Sequence, residues 1–272
     1  NLHRPRRLRI KRRRYIVSGI DDLWQADLAD IQKLSRQNAG VRIHLVVIDV
    51  FSKYMLVKPL KNKTAVETLD GLDPIIMESQ RRPRNFMTDK GTEFVNEPTT
   101  NYFKNTNINY YTSNNPETKA AIAERVIRTL KGKIYRFMTA QNTKRYIDDL
   151  DNLVAAYNNS KHRSIGMKPS EVKAKTEDEA RNTLYPISVV DIPPKYKYKF
   201  GDTVKVALTP SKFTKGYLPL WTEENFTIFR RRETIPPTYR IKDAQGEVVT
   251  GSFYEPELQL VYEEEDDFEQ EL

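Results

Sequence analysis

Cysteine is absent from all 272 residues, which excludes disulfides and thiolate zinc sites within them. The three histidines, His3, His44 and His162, are too scattered to build a zinc module of their own. No apolar run approaches the ~20 residues of a membrane-spanning helix, so no membrane partner is expected. The basic opening residues are not followed by the apolar stretch of a secretory signal. Charge is unevenly spread. Residues 1–14 hold eight Arg or Lys and no acid, residues 263–272 hold seven acids and no base, and what lies between carries +7 of the net +8. A basic body behind a basic arm points to a polyanionic partner, whereas the acidic end reads as a solvated tail.

What is present supports one domain of ordinary size and a small second one, with 38% hydrophobic residues to fill their cores. Alternating and apolar runs predict strands over 23–30, 42–50 and 53–59, the last two joined by a hairpin at 49–53. A helix is expected over 64–79, with Thr64 as its cap, although Gly71 and Pro74 argue against its continuity. A fourth strand ends at Asp89 and a fifth covers 108–112, followed by a polar loop at 112–118. Ala123, Ile127, Leu130, Ile134 and Phe137 then mark one face of a basic helix. Further helices are expected over 144–160, from 168 and over 176–184. After Pro193-Pro194 the pattern changes to short strands at 203–208, 225–231, 238–242 and 247–253, with a turn at 243–246. The fold class is therefore α/β, a mixed five-stranded sheet with flanking helices, followed by a small all-β unit.

Within this order three carboxylates stand out. Asp27 interrupts the strand Leu23-Trp24-Gln25-Ala26-Asp27-Leu28, although aspartate is depleted in strands and needs a partner or a metal among apolar neighbours. Asp89 ends a strand two residues before Gly91, and Glu124 lies one position off the apolar stripe of its helix. Hard cations take oxygen ligands, and three acids leave open positions for water and phosphate oxygens. Each has an ordinary reading too: a loop bond for Asp27, a turn for Asp89, an ion pair with Arg128 for Glu124. Two further acids compete. Glu93 reads as holding the turn after Asp89, and Asp49 as bonding to hairpin amides. His162 reads as a structural cap between helix and loop.

Trp24-Gln25-Ala26-Asp27, Ile48-Asp49-Val50-Phe51-Ser52-Lys53-Tyr54, Thr88-Asp89-Lys90-Gly91-Thr92-Glu93-Phe94, Ala123-Glu124-Arg125-Val126-Ile127-Arg128 and Tyr157-Asn158 with His162-Arg163-Ser164 resemble the catalytic core of retroviral and retrotransposon integrases, the D,D-35-E polynucleotidyl transferases. The opening arm and Gly251-Ser252-Phe253-Tyr254-Glu255-Pro256 look most like integrases of Maverick/Polinton-type transposons. Here 34 residues, not 35, separate Asp89 from Glu124, a difference that one deletion in the loop before the helix absorbs.

The resemblance implies a ribonuclease-H-like core over 19–174, a linker over 175–194 and a Src-homology-3-like or chromo-like barrel over 195–262, framed by the basic arm at 1–18 and the acidic tail at 263–272. It implies that Asp27, Asp89 and Glu124 bind two Mg²⁺ ions, which Mn²⁺ can replace. It also implies element ends and target DNA as substrates, self-association into a multimer and a nuclear location. Lys119, Arg128 and Lys131 would face the DNA, with Arg12, Arg13 and Arg14 of the arm and Arg230, Arg231 and Arg232 of the barrel on phosphates. Lys212 and Lys215 are further candidates, and Tyr217, Trp221, Phe226 and Tyr239 form either barrel core or a methyl-lysine cage. A domesticated, non-catalytic DNA-binding or chromatin protein and a plain ribonuclease-H-like nuclease are the alternatives. The intact acids argue against the first, and the arm and barrel against the second.

Overall fold

The computed structural model describes residues 2–5, 15–113, 121–186, 195–208, 218–234 and 236–261. The chain forms two compact units, one over Tyr15–Pro186 and one over 187–272 together with 1–14.

In the first unit, β1 (Leu23–Asp30), β2 (Ile43–Asp49), β3 (Met55–Leu60), β4 (Asn85–Thr88) and β5 (Asn109–Thr112) form one sheet in the order β3-β2-β1-β4-β5. β1, β2 and β3 are antiparallel, β4 runs parallel to β1, and β5 parallel to β4. Its helices are α1 (Ala65–Glu78), α2 (Glu97–Asn105), α3 (Ala121–Ala140), α4 (Leu150–Asn158) and α5 (Glu177–Leu184). Every residue of β2 is buried. Ile43, Leu45 and Val47 pack on one face with Trp24, Leu72, Phe86 and Phe103, and Val46 and Ile48 on the other with Leu130, Ile134 and Leu150. A strand covered on both faces reads as a continuous apolar run, which β2 does.

The expected mixed sheet with flanking helices is thus observed. α1 continues through both residues that argued against it. Gly71 lets the helix close onto β3, since a Cβ there would lie 2.7 Å from the Leu60 side chain. Pro74 deprives only Asp70, on the solvent side, of a ladder amide. α2 was not expected. It is short and polar, started by Asn96, whose side chain accepts from the Thr99 amide at 2.9 Å. The helix expected over 144–160 is instead a 3-10 turn at Ile147–Asp149 leading into α4, and the one expected from 168 is a 3-10 turn at Pro169–Glu171.

In the second unit, β6 (Thr203–Val206), β7 (Phe226–Arg232), β8 (Thr238–Lys242), β9 (Phe253–Tyr254) and β10 (Leu258–Leu260) form an antiparallel sheet in the order β10-β6-β7-β8-β9. Tyr198, Val204, Phe226, Ile228, Tyr239, Ile241 and Leu258 make its core. The strand expected over 247–253 is only a bridge from Val248 to Lys242 and the two residues of β9. The start of the chain lies on this unit. The Leu220 amide donates to the Leu2 carbonyl at 2.9 Å, and the Trp221 indole to that of Arg4 at 2.8 Å. No described helix is long and apolar enough to cross a membrane.

Candidate active site

Alternation along β1 sends Trp24, Ala26 and Leu28 to the face covered by α1 and α2, and Leu23, Gln25, Asp27 and Ala29 to the face covered by α3. Gln25 is fully buried there, and its Oε1 accepts from the amides of Ile122 at 3.2 Å and Ala123 at 3.4 Å. The first amides of a helix have no partner within it, so Gln25 pins the start of α3 to β1 two residues from Asp27. Beside it, Gln25 pairs with Met87 of parallel β4. Carrying that register on by two residues sets Asp27 opposite Asp89. One strand, its parallel neighbour and one helix start thus bring Asp27 into the fields of Asp89 and Glu124.

The Asp27 carboxyl is pushed up to about 6. Burial is the main cause and the charges of Asp89 and Glu124 add to it, while the Leu28 amide, 2.7 Å from Oδ1, and the Lys63 charge oppose. Asp89 Oδ1 accepts from the Gly91 amide at 3.1 Å, which holds the turn. Glu124, expected at the edge of the core, is 60% exposed, with Oε1 3.7 Å from Arg128 Nη2. The physical reason is the helical step: one residue beyond Ala123 is about 100° round, off the inward stripe. Among the described residues no three His, Cys, Asp or Glu side chains stand close enough to hold a metal ion. The donor types nevertheless fit a hard cation, because Asp27 lies half-buried against like charges. The Glu124–Arg128 pair is exposed and worth at most about 1 kcal/mol, too little to hold Glu124 from a bound cation.

Two residues that sequence reasoning passed over, Gln25 and Lys63, belong to this site. A glutamine buried between Trp24 and Ala26 was the available signal for the first; a lysine in a polar link gives none. Asp49 holds the hairpin as expected. It accepts from the Phe51 amide at 3.0 Å and the Ser52 hydroxyl at 2.5 Å, and it pairs with Arg81. Arg81 also pairs with Asp21 at 2.6 Å and lies over the Trp24 and Tyr54 rings. His162 Nδ1 accepts from the Ser164 amide at 3.2 Å, and its carbonyl accepts from Ile165 and Gly166, a loop-holding role.

The candidate DNA contacts fall at several places. Arg128 is exposed on α3, whereas Lys131 is half-buried and near enough to His44 to help burial lower that imidazole to about 4. Arg230, Arg231 and Arg232 are all exposed. Arg231 lies 4.9 Å over the Tyr196 ring and opposite the buried Tyr239, so it covers the rim of the second core. Trp221, Phe226 and Tyr239 are buried, and the Tyr239 hydroxyl accepts from the Lys197 and Tyr198 amides, which favours core over cage. Arg12, Arg13, Arg14, Lys119, Lys212, Lys215, Tyr217, residues 114–118 of the polar loop and the acidic tail lie outside the described residues.

No protein-family model matches the sequence. Over 228 residues, 84% of the chain, it is 32% identical to a transposon-derived protein of Caenorhabditis elegans, of which it covers 76%. A chain of the simian T-cell lymphotropic virus intasome, determined by cryo-electron microscopy, overlays with a TM-score of 0.65 at 14% identity, over 96% of this chain and 88% of that one. The HTLV-2 integrase catalytic core domain, in complex with magnesium and in a trimeric form, matches 58% of this chain and 99% of its own at 16% identity and a TM-score of 0.48. The intasome overlay identifies the fold as that of integrase catalytic cores, ribonuclease-H-like in kind.

Proposed function

This chain belongs to a family of transposon-derived proteins, and we propose that it is the DNA integrase of a mobile element, which trims the element's 3′ ends and joins them to target DNA. The observation that carries this reading is a half-buried Asp27 within the fields of Asp89 and Glu124, beside the start of α3 on an integrase-type fold. Asp27, Asp89 and Glu124 would hold two Mg²⁺ ions, for which Mn²⁺ would substitute. Bound there, the ions would supply the acidity that activates water or a 3′ hydroxyl and the charge that steadies the leaving oxygen.

The chain's own residues do the rest. Gln25 keeps the start of α3, and with it Glu124, in register with β1. When Glu124 turns inward, Arg128 is released to a DNA phosphate, with Lys131 one helical turn on and Lys119 as a further candidate contact. In trimming, water attacks the phosphodiester in line and the bond to the 3′ oxygen breaks. In joining, the freed hydroxyl attacks a target phosphodiester and its 3′ oxygen leaves, so no covalent enzyme intermediate is needed. Both ends must be joined together, which calls for a multimer. The first unit, Tyr15–Pro186, is the catalytic domain, with α5 part of its core rather than of a linker, and residues 195–262 are a Src-homology-3-like DNA-binding barrel. Arg12, Arg13 and Arg14 of the 1–18 arm and Arg230, Arg231 and Arg232 neutralise phosphates. Chromosomal DNA as target places the protein in the nucleus.

The test is to incubate the protein with duplexes bearing the element's ends and a supercoiled plasmid in Mg²⁺. Trimmed ends joined to plasmid are expected. Cutting without joining indicates a plain nuclease. DNA binding with neither reaction indicates a non-catalytic DNA-binding protein, a second reading that the outward Glu124–Arg128 pair favours.

A further inference from the structure

Lys63 stands on the link between β3 and α1, which is held from within. The Glu67 carboxylate accepts from the Lys61 amide and, at 2.9 Å, from that of Asn62, and the Thr64 hydroxyl caps α1. From this link Lys63 Nζ reaches Glu93 Oε1 at 2.8 Å. The pair is lopsided: the lysine side chain is 55% exposed, the glutamate only 6%. Burying a carboxylate is costly unless a charge meets it, so a surface lysine needs no such partner for its own sake. Room for the acid comes from Gly91 in the Asp89 turn, where a Cβ would stand 2.5 Å from the Glu93 carboxylate. The ammonium also lies within the fields of Asp89 and Asp27, yet its direct partner is Glu93. It therefore brings a cation beside Asp27 and Asp89 while its ion pair is made with Glu93. An ammonium carries three protons, and Glu93 engages one side of it.

We propose that Lys63 binds a non-bridging phosphate oxygen of the DNA strand being cut, and that Glu93 is the positioning residue that aims it. This assignment rests on the integrase reading. A phosphodiester approaching three carboxylates is repelled by them, and a cation fixed at their rim offsets that repulsion on the side where the strand enters. Glu93 restrains a flexible four-carbon side chain that would otherwise be free in solvent.

The experiment uses the full chain and end duplexes in which one phosphate, at the position that the wild-type protein cuts in Mn²⁺, is replaced by a neutral methylphosphonate. Affinities are compared in EDTA by fluorescence anisotropy, so the readout does not depend on catalysis. Lys63→Met with Glu93→Gln leaves no buried acid unpaired, and unchanged melting verifies its fold. This double variant is expected to shift preference towards the neutral linkage by about tenfold relative to wild type, the loss of one charge-assisted hydrogen bond. Lys63→Arg should keep most of the wild-type preference, and Glu93→Gln alone should lose part of it. A double variant that discriminates as wild type does overturns the role of Lys63 and leaves the integrase reading standing. A wild-type protein that cuts nothing in either metal overturns that reading, and this inference with it.

Discussion

Asp27 carries the electrostatic strain of the site. Its carboxyl is raised from 3.8 to about 6, by burial first and by Asp89 and Glu124 second. The native state therefore binds a proton more readily than the unfolded chain between those values. Stability should rise as pH falls from about 6 towards 3.8, and the charged acid should weigh on the fold at all higher pH. Asp27→Asn is expected to raise the melting temperature of metal-free protein at pH 7 and to remove this contribution to the pH slope. Melting followed by circular dichroism in EDTA checks it, and an unchanged or lower melting temperature counts against the arrangement described. The unusual setting of Asp27 was legible because an acid is costly within a strand, and the turn at Asp89 because Gly91 follows it. How far Glu124 stands out in solvent was not, since spacing puts it one step off the stripe without showing what covers that flank of α3. Nor was the Lys63–Glu93 pair, which depends on two links far apart in sequence.

Among the elements, α3 owes its placement to a contact as well as to its apolar stripe. Val126 and Met138 join Ala123, Ile127, Leu130 and Ile134 inside, while Phe137, expected on the stripe, is only partly buried. Gln25 fixes the helix start. Gln25→Met keeps the volume but leaves one buried and one part-buried amide without their acceptor, at a cost of about 1–3 kcal/mol. Chemical denaturation should show that loss, together with a drop in strand-transfer kcat larger than the binding defect. Wild-type stability and activity would mean that α3 is held by packing alone. Long, strongly patterned elements were readable from sequence: β1, β2 and α3 fall close to their expected ranges. α2 and β10 escaped because a nine-residue, mostly polar helix and a three-residue strand carry too little periodicity to outweigh their context.

At the scale of the whole molecule, the basic arm is the feature that composition and structure describe differently. Its charge was plain in the sequence, but the seating of Leu2 and Arg4 beside Leu220 and Trp221 was not, because residues more than 200 positions apart meet there. Changing Arg12, Arg13 and Arg14 to Gln leaves that seat intact and should flatten the slope of log affinity against log salt by up to about 2.7, at about 0.9 for each phosphate contact. An identical slope would leave DNA binding to the rest of the chain. The decisive measurement is strand transfer by Asp27→Asn, Asp89→Asn and Glu124→Gln, each made with Mg²⁺ on the same end duplex and plasmid. Every variant should fold and bind DNA as wild type does, yet lose joining to background, because each loses a charged oxygen ligand and little volume. Near-normal joining by Glu124→Gln would show that the outward glutamate seen here never turns to the other two acids, and another residue would have to complete the site.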